Sequence, residues 1–250
     1  MNDEILLRVV NLSKEFYGNR VLDSVNITLK KGEVFGIIGE NGAGKSTFMK
    51  ILSGIYSPSQ GEIYLEGKKV EIKDPLTAKK LGITLIPQEF NLVETLTVFE
   101  NIFLGDEISH KILLNKKEMK KRSKDILKSL NVELDIEQKV EKLSVAQKQM
   151  VEIAKAITHE SKILIMDEPT TALTEVEIKT LFDLIKELKN KRISVFFISH
   201  KLKEVKEICD RVLILRDGKT VSICDVDDLS VQEMAKRMVG RELNQIYPNK

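Results

Sequence analysis

The stretch Gly39, Glu40, Asn41, Gly42, Ala43, Gly44, Lys45, Ser46 and Thr47 restricts this chain more than any other part of it. It follows the apolar run Val34 to Ile38 and opens a segment of helical period, so it fits the strand, GxxxxGK[ST], helix pattern of a phosphate-binding loop. The chemistry explains the residue types. Glycines let successive backbone N–H groups turn toward phosphate oxygens, and the helix starting near Lys45 adds its positive end. Lys45 reaches the terminal phosphates, and the Ser46 hydroxyl can sit on Mg²⁺. A Gly-rich turn with no ligand is the plainer alternative, and the complete motif after a buried strand weighs against it.

A loop of this kind needs a sheet behind it. Val34 to Ile38, Ile83 to Ile86, Ile163 to Met166, Val195 to Ile198 and Val212 to Leu215 are short, Val- and Ile-rich runs, as expected of strands buried on both faces of a mostly parallel sheet. Between them lie segments of helical period; Ile178, Leu181, Phe182, Ile185 and Leu188 share one face of a helix near 173–190. The expected class is therefore α/β. Two further regions differ from this core. Leu6 to Leu29 and Glu62 to Ile72 are read as short strands with turns at Tyr17-Gly18-Asn19 and Glu66-Gly67-Lys68, predicting an N-terminal antiparallel β subdomain. From about 88 to 160 only helical pattern is visible, predicting an inserted α-helical subdomain.

With 250 residues, 42% of them hydrophobic, the chain is long enough for one large domain. The domain is expected over 1–240, with 241–250 starting a linker or tail. Lys and Arg exceed Asp and Glu by 40 − 38 = 2, so charge gives no ground for a nucleic-acid partner. The lysine-rich segment Asn115 to Leu130 also carries Met119, Ile126, Leu127 and Leu130 on one face, and is read as the solvated side of a surface helix. No apolar run approaches the ~20 residues of a membrane-spanning helix, which predicts a cytoplasmic protein. Cys209 and Cys224 have no metal-ligand spacing and are read as inert thiols.

A second acidic element completes the phosphate loop. In Ile163 to Pro169 a buried strand ends in two carboxylates: Asp167 is placed to hold Mg²⁺ through its water shell, and Glu168 to act as general base. The competing explanation is two carboxylates that merely cap the next helix. His200 follows the strand Ser194 to Ser199, and a histidine there points into the crevice where open α/β sheets bind ligands. His110 and His159 have no such placement and are taken as incidental.

In this order the pieces resemble the ATP-binding subunits of ABC transporters, over nearly the whole chain. The resemblance implies a P-loop ATPase core and adds four assignments. Gln88 matches the Q-loop, which also touches the metal; Ser144, Val145, Ala146 and Gln147 match the signature that acts in trans; Ala172 to Thr174 match the D-loop; His200 matches the switch histidine. The adenine-stacking aromatic lies about 29 residues before the loop lysine, which selects Phe16, with Tyr17 in reserve. Further segments, among them Gly54 to Tyr56, Pro87 to Leu92, Glu100 to Gly105, Gln149 to Lys155 and Met238 to Arg241, look like the N-terminal ATPase half of monosaccharide importers of the ribose, galactose and xylose type. That resemblance implies ATP and Mg²⁺ as ligands and a second ATPase domain fused C-terminally. It also implies transmembrane permease subunits as partners, a solute-binding protein acting indirectly, and a peripheral place on the inner face of the cell membrane.

Two departures from the family pattern stand out. The usual signature Leu-Ser-Gly-Gly-Gln has Val145 and Ala146 for its glycines, and the D-loop ends in Thr174 where Asp is common. Close backbone approach at the signature is thereby hindered. A soluble ABC-type ATPase acting in translation or another non-transport process is the alternative function. The repair type carries coiled-coil or zinc insertions absent from the stretch between Lys45 and Leu143, and Glu168 and His200 speak against a non-catalytic sensor. A small kinase or GTPase leaves the helical insert unexplained.

Overall fold

Alternate residues of the central strands face two separate cores, and this division organises the molecule. The computed structural model describes residues 4–110, 113–158 and 160–240. His159, the side chain of His110 and the expected linker 241–250 lie outside the described residues. In β3 (Val34–Ile38) and β10 (Ser194–Ile198) every residue is buried. Val34, Val195 and Phe197 join one core, while Phe35, Phe196 and Ile198 join the other. Such two-sided burial explains why these strands are continuous apolar runs without polar alternation.

The central sheet has the order β12-β11-β3-β10-β9-β6, with β6 (Ile83–Ile86), β9 (Ile163–Asp167) and β11 (Arg211–Arg216) parallel to β3 and β10. The edge strand β12 (Lys219–Asp225) runs antiparallel and was not legible in the sequence. It is joined to β11 by a two-residue turn in which Asp217 and Gly218 both have positive φ, 49° and 75°. That pair suits the tight hairpin whose twist matches its strands. A side chain on Gly218 would place Cβ 2.4 Å from the Val21 carbonyl oxygen, so the turn also needs glycine for close approach.

The first core lies between this sheet and an N-terminal antiparallel sheet of order β2-β1-β4-β5. Its strands are β1 (Ile5–Phe16), β2 (Asn19–Lys30), β4 (Gln60–Leu65) and β5 (Lys68–Val70), as the turn residues predict. Helix α1 (Lys45–Leu52) is wedged there by Phe48, Met49, Ile51 and Leu52, with Phe48 edge-on to Phe196 at 6.4 Å. Nearby, α2 (Pro75–Lys80) starts with Pro at its first position and Asp74 accepting from the Thr77 N–H at 2.7 Å, a standard N-cap.

On the opposite face pack α6 (Glu175–Asn190), α7 (Leu202–Ile208), α8 (Val231–Val239) and the inserted lobe. The lobe contains α3 (Val98–Ile102), α4 (Lys116–Ser129) and α5 (Val145–Ile157). It is not purely helical, contrary to what the sequence pattern predicts. Two-residue strands β7 (Ser109–His110) and β8 (Leu113–Leu114) pair antiparallel within it. Helix α4 buries Met119 and Leu127 and turns its lysines outward, and Lys116 and Lys120 pair with Glu100 and Glu137. Asn101 is fully buried; its amide accepts from the Val93 N–H at 2.7 Å and donates to the Val93 and Thr97 carbonyls at 3.0 and 3.1 Å, tying down the segment that enters the lobe.

Candidate active site

Four neighbouring strands, β3, β10, β9 and β6, end on one side of the sheet, and each is followed by a residue predicted to act. The phosphate loop follows β3, His200 follows β10, Glu168 follows β9 and Gln88 follows β6. Strand order, then, and not sequence proximity, assembles the site, as expected for the carboxyl ends of an open α/β sheet.

The loop turns into α1 at Gly44, which has φ of 101°. A Cβ there would stand 2.6 Å from Leu22 Cδ2 and 3.0 Å from the Val21 carbonyl, so no other residue fits. Lys45 is buried, and its Nζ donates to the carbonyls of Gly39 at 2.7 Å and Glu40 at 2.9 Å. Burial lowers its pKa below the ordinary lysine value, while the charges of Glu168 and Asp167 act in the opposite direction. A cleft of about 400 Å³ opens beside it, lined by Asn41, Lys45, Ser46, Gln88, Asp167 and Glu168 among others. Val21, from the neighbouring sheet, also lines the cleft, and nothing in the sequence pattern singles it out.

Asp167 is the last residue of β9 and pairs in register with Ile198 of β10. Burial first, and then the neighbouring Glu168 charge, raises its carboxyl above the usual aspartate range. Two carboxylates beside one ammonium form an electronegative pair suited to a cation. Among the described residues no group of three or more His, Cys, Asp or Glu could hold a metal by itself. The donor set fits Mg²⁺ of the kind held by a hydroxyl, one carboxylate and substrate phosphates, namely Ser46 and Asp167 with Gln88 on the same wall.

Glu168 has φ of 48°, a left-handed backbone that non-glycine residues rarely adopt, and it precedes Pro169, which restricts it further. Strain of this kind concentrates at functional positions. Its N–H donates to the Ile198 carbonyl at 3.0 Å, and its Oε1 lies 3.0 Å from His200 Nδ1. The general-base candidate and His200 are therefore in direct contact.

Other predicted residues lie elsewhere. Phe16, at the end of β1, packs edge-on against Tyr56 with ring centroids 5.1 Å apart, and Lys14 Nζ stands 4.8 Å over its ring. It is not among the residues lining the cleft, and Tyr17 projects fully into solvent from the adjoining turn. Ser144 caps α5: its N–H donates to Gln147 Oε1 at 2.9 Å and its Oγ accepts from the Gln147 N–H at 3.3 Å, a reciprocal capping box. Val145 is 38% exposed at the first turn of that helix, whereas Ala146 is packed inward. Thr174 caps α6 in the same manner with Glu177, so the residue that departs from the D-loop pattern has a local structural use. The Thr174 backbone N–H, and after it the Thr174 hydroxyl, hold the Glu177 carboxyl below its usual range.

The segment after Gln88 is anchored by a residue to which the sequence assigns no role. Glu152 of α5 is buried, accepts from the Asn91 N–H at 2.6 Å, and has its pKa raised by burial. It lines a second, more apolar cleft of about 260 Å³ between lobe and core, together with Ile55, Lys79, Pro87 and Asn91.

Comparison with known proteins shows the family. The profile of the ABC transporter family matches residues 22–171. Over 98% of the chain, 47% of residues are identical to a putative ribose/galactose/methyl galactoside import ATP-binding protein of Agrobacterium fabrum, of which 49% is covered. A ribose import ATP-binding protein of Clostridium perfringens is 45% identical over 97% of the chain and 49% of its own length. The chain spans about half the length of the curated relatives it matches. Among solved structures, the ADP conformation of MJ1267, an ATP-binding cassette of an ABC transporter, superimposes with a TM-score of 0.81 at 28% identity, covering 97% of this chain and 98% of that one. A dimeric structure of the bacterial ABC transporter cassette MJ0796 gives 0.74 at 27% identity, covering 88% and 99%.

Proposed function

The chain belongs to the ABC transporter ATP-binding family, and from that premise we propose that it binds and hydrolyses ATP to power a sugar importer, as the N-terminal half of a fused pair of ATPase domains. The observation that carries this reading is the contact of His200 with Glu168 at 3.0 Å, because Glu168 lines one cleft with Asp167 and the phosphate loop.

The geometry supports the following division of labour. The loop N–H groups and Lys45 hold phosphate oxygens; the Lys45 ammonium exchanges its bonds to the Gly39 and Glu40 carbonyls for phosphate. Ser46, Asp167 and Gln88 would hold Mg²⁺, which neutralises charge developing on the phosphates. Glu168 takes the proton of the attacking water, and His200 holds its carboxylate in place and can donate to the terminal phosphate. Phe16 supplies an aromatic surface for adenine. The second apolar cleft, flanked by Lys79 and by the Gln88 segment, is the surface offered to a permease subunit, so that its occupant and the nucleotide share one loop.

Half coverage of import ATP-binding proteins supports a partner domain in the same polypeptide. With Val145 and Ala146 in its signature, this chain would lend poor trans-acting groups to that partner's site, while its own site, complete on the cis side, would be closed by the partner's signature. Such an assembly sits peripherally at the membrane; among the described residues no helix is long and apolar enough to cross it. Lys45→Ala should abolish most ATP binding, whereas Glu168→Gln should keep binding and lose turnover by about 10²–10⁴-fold, the range of a general base. Equal loss of nucleotide affinity in both variants contradicts the assigned roles.

A further inference from the structure

Glu204 is a buried carboxylate that the proposed chemistry leaves unused. It lies in the first turn of α7, four residues after His200, and is 8% exposed. Its Oε2 accepts from Thr170 Oγ1 at 2.6 Å and from Ser199 Oγ at 3.3 Å, and its Oε1 pairs with Lys201 Nζ at 3.2 Å. Lys201 closes the circuit: its Nζ donates to the Thr170 carbonyl at 3.1 Å, and its N–H donates to Ser199 Oγ at 3.0 Å. Thr170 and Ser199 are both almost wholly buried. A buried carboxylate is unfavourable unless fully bonded, and apolar packing would stabilise such a spot at least as well. What the network achieves is mechanical. It joins the turn after β9 to the turn after β10.

Those two turns carry Glu168 and His200. On the cleft side they are linked by the Glu168 N–H to the Ile198 carbonyl and by the contact of Glu168 with His200. Behind them the only charged, buried connection among the described residues is the one through Glu204. Glu168 is also the residue whose left-handed backbone needs support from its surroundings, since such a conformation persists only when neighbouring bonds over-determine it. We infer that Glu204 is a positioning residue that locks the Glu168 turn against the His200 turn and so sets the contact on which hydrolysis depends. This rests on the ATPase role proposed above.

The test uses the 250-residue chain and two readouts that separate this inference from that role. The chain has three histidines, and the ring resonances of His200 are assigned by their loss in His200→Ala. Glu204→Ala should move the His200 signals and leave the other two histidines in place, while Glu207→Ala, on the exposed face of the same helix, should move none. In single-turnover assays at high chain concentration, Glu204→Ala should slow phosphate release about ten- to a hundredfold, the scale of a misplaced catalytic group, with ATP affinity within about twofold of wild type. Glu204→Gln keeps an oxygen for Thr170 and should recover part of the rate. If Glu204→Ala does not fold, Thr170→Val removes the shortest bond of the network and should give the same His200 shift and rate loss. Unmoved His200 resonances in whichever variant folds overturn the inference, as does a loss of ATP affinity as large as the loss of rate. A wild-type chain that hydrolyses nothing overturns the ATPase reading instead, and the resonances then decide the role of Glu204 alone.

Discussion

Replacing Val145 and Ala146 together by glycine restores the usual signature, and the structure sets both the gain and the cost. The two residues are the first two of α5, and the Ser144 and Gln147 capping box on either side of them uses neither side chain. Val145 is partly exposed, so little packing is lost with it. Ala146 is packed inward, and its methyl group is worth about 0.8 kcal/mol of burial. Glycine costs about 1 kcal/mol against alanine in a helix and about half that against valine, less at a frayed first turn. The sum is about 1–2 kcal/mol. For a domain of this size that lowers Tm by roughly 2–8 °C. Against this, freeing the backbone for approach to a phosphate across a domain interface restores donors worth up to ~10²–10³ in rate each. Phosphate release by the double variant should rise about tenfold or more over wild type at high chain concentration, despite the lower Tm. A fall in Tm of the expected size with no change in rate would refute the reasoning, because the backbone would then be free to approach and closure would be limited elsewhere.

Phe16→Ala should weaken ATP binding by about 0.5–1.5 kcal/mol, read by titration with a fluorescent nucleotide; unchanged affinity there with a loss in Tyr17→Ala would move adenine to Tyr17. Asp167→Asn should stabilise the nucleotide-free chain at neutral pH. The Asp167 pKa is raised in the folded state by burial and by Glu168, so its ionised form opposes folding once pH rises through that raised value, and its protonated form at lower pH does not. The Tm advantage of the variant should therefore be present at neutral pH and vanish in acid. With ATP and Mg²⁺ added the order should reverse, since the ligand stabilises only the protein that holds it. An Asn variant of lower Tm at every pH without ligand would contradict this.

The central strands were legible because burial on both faces leaves them no polar residues, and the phosphate loop because its backbone requirement dictates glycine at fixed spacing. Edge strand β12 was not, since Lys219 to Asp225 is half exposed and mixes polar with apolar residues without clean alternation. Strands β7 and β8 are two residues each and leave no periodic trace. Asp167, Glu168 and His200 could be placed from the ends of strands, yet the contact of Glu168 with His200 depends on β9 and β10 being neighbours, which no local pattern states. Glu204 and Glu152 are hidden for a related reason. Each sits in a stretch that looks like an ordinary amphipathic helix, and only the packing of a distant turn against it makes the carboxylate buried. The aromatic surface assigned to Phe16 rests on spacing, while in the structure the ring is engaged with Tyr56 and Lys14.

The central claim is that this chain supplies one side of a composite ATPase whose other side comes from a partner half. Its most direct test is steady-state phosphate release by the 250-residue chain alone, over a range of concentrations, against the same chain with the proposed second ATPase domain added. A homodimer pairs each intact phosphate loop with the Val145–Ala146 signature, so the chain alone should bind ATP and turn it over slowly at every concentration, and the added half should raise the rate at least tenfold. A chain that by itself hydrolyses ATP as fast as the combined halves would contradict it.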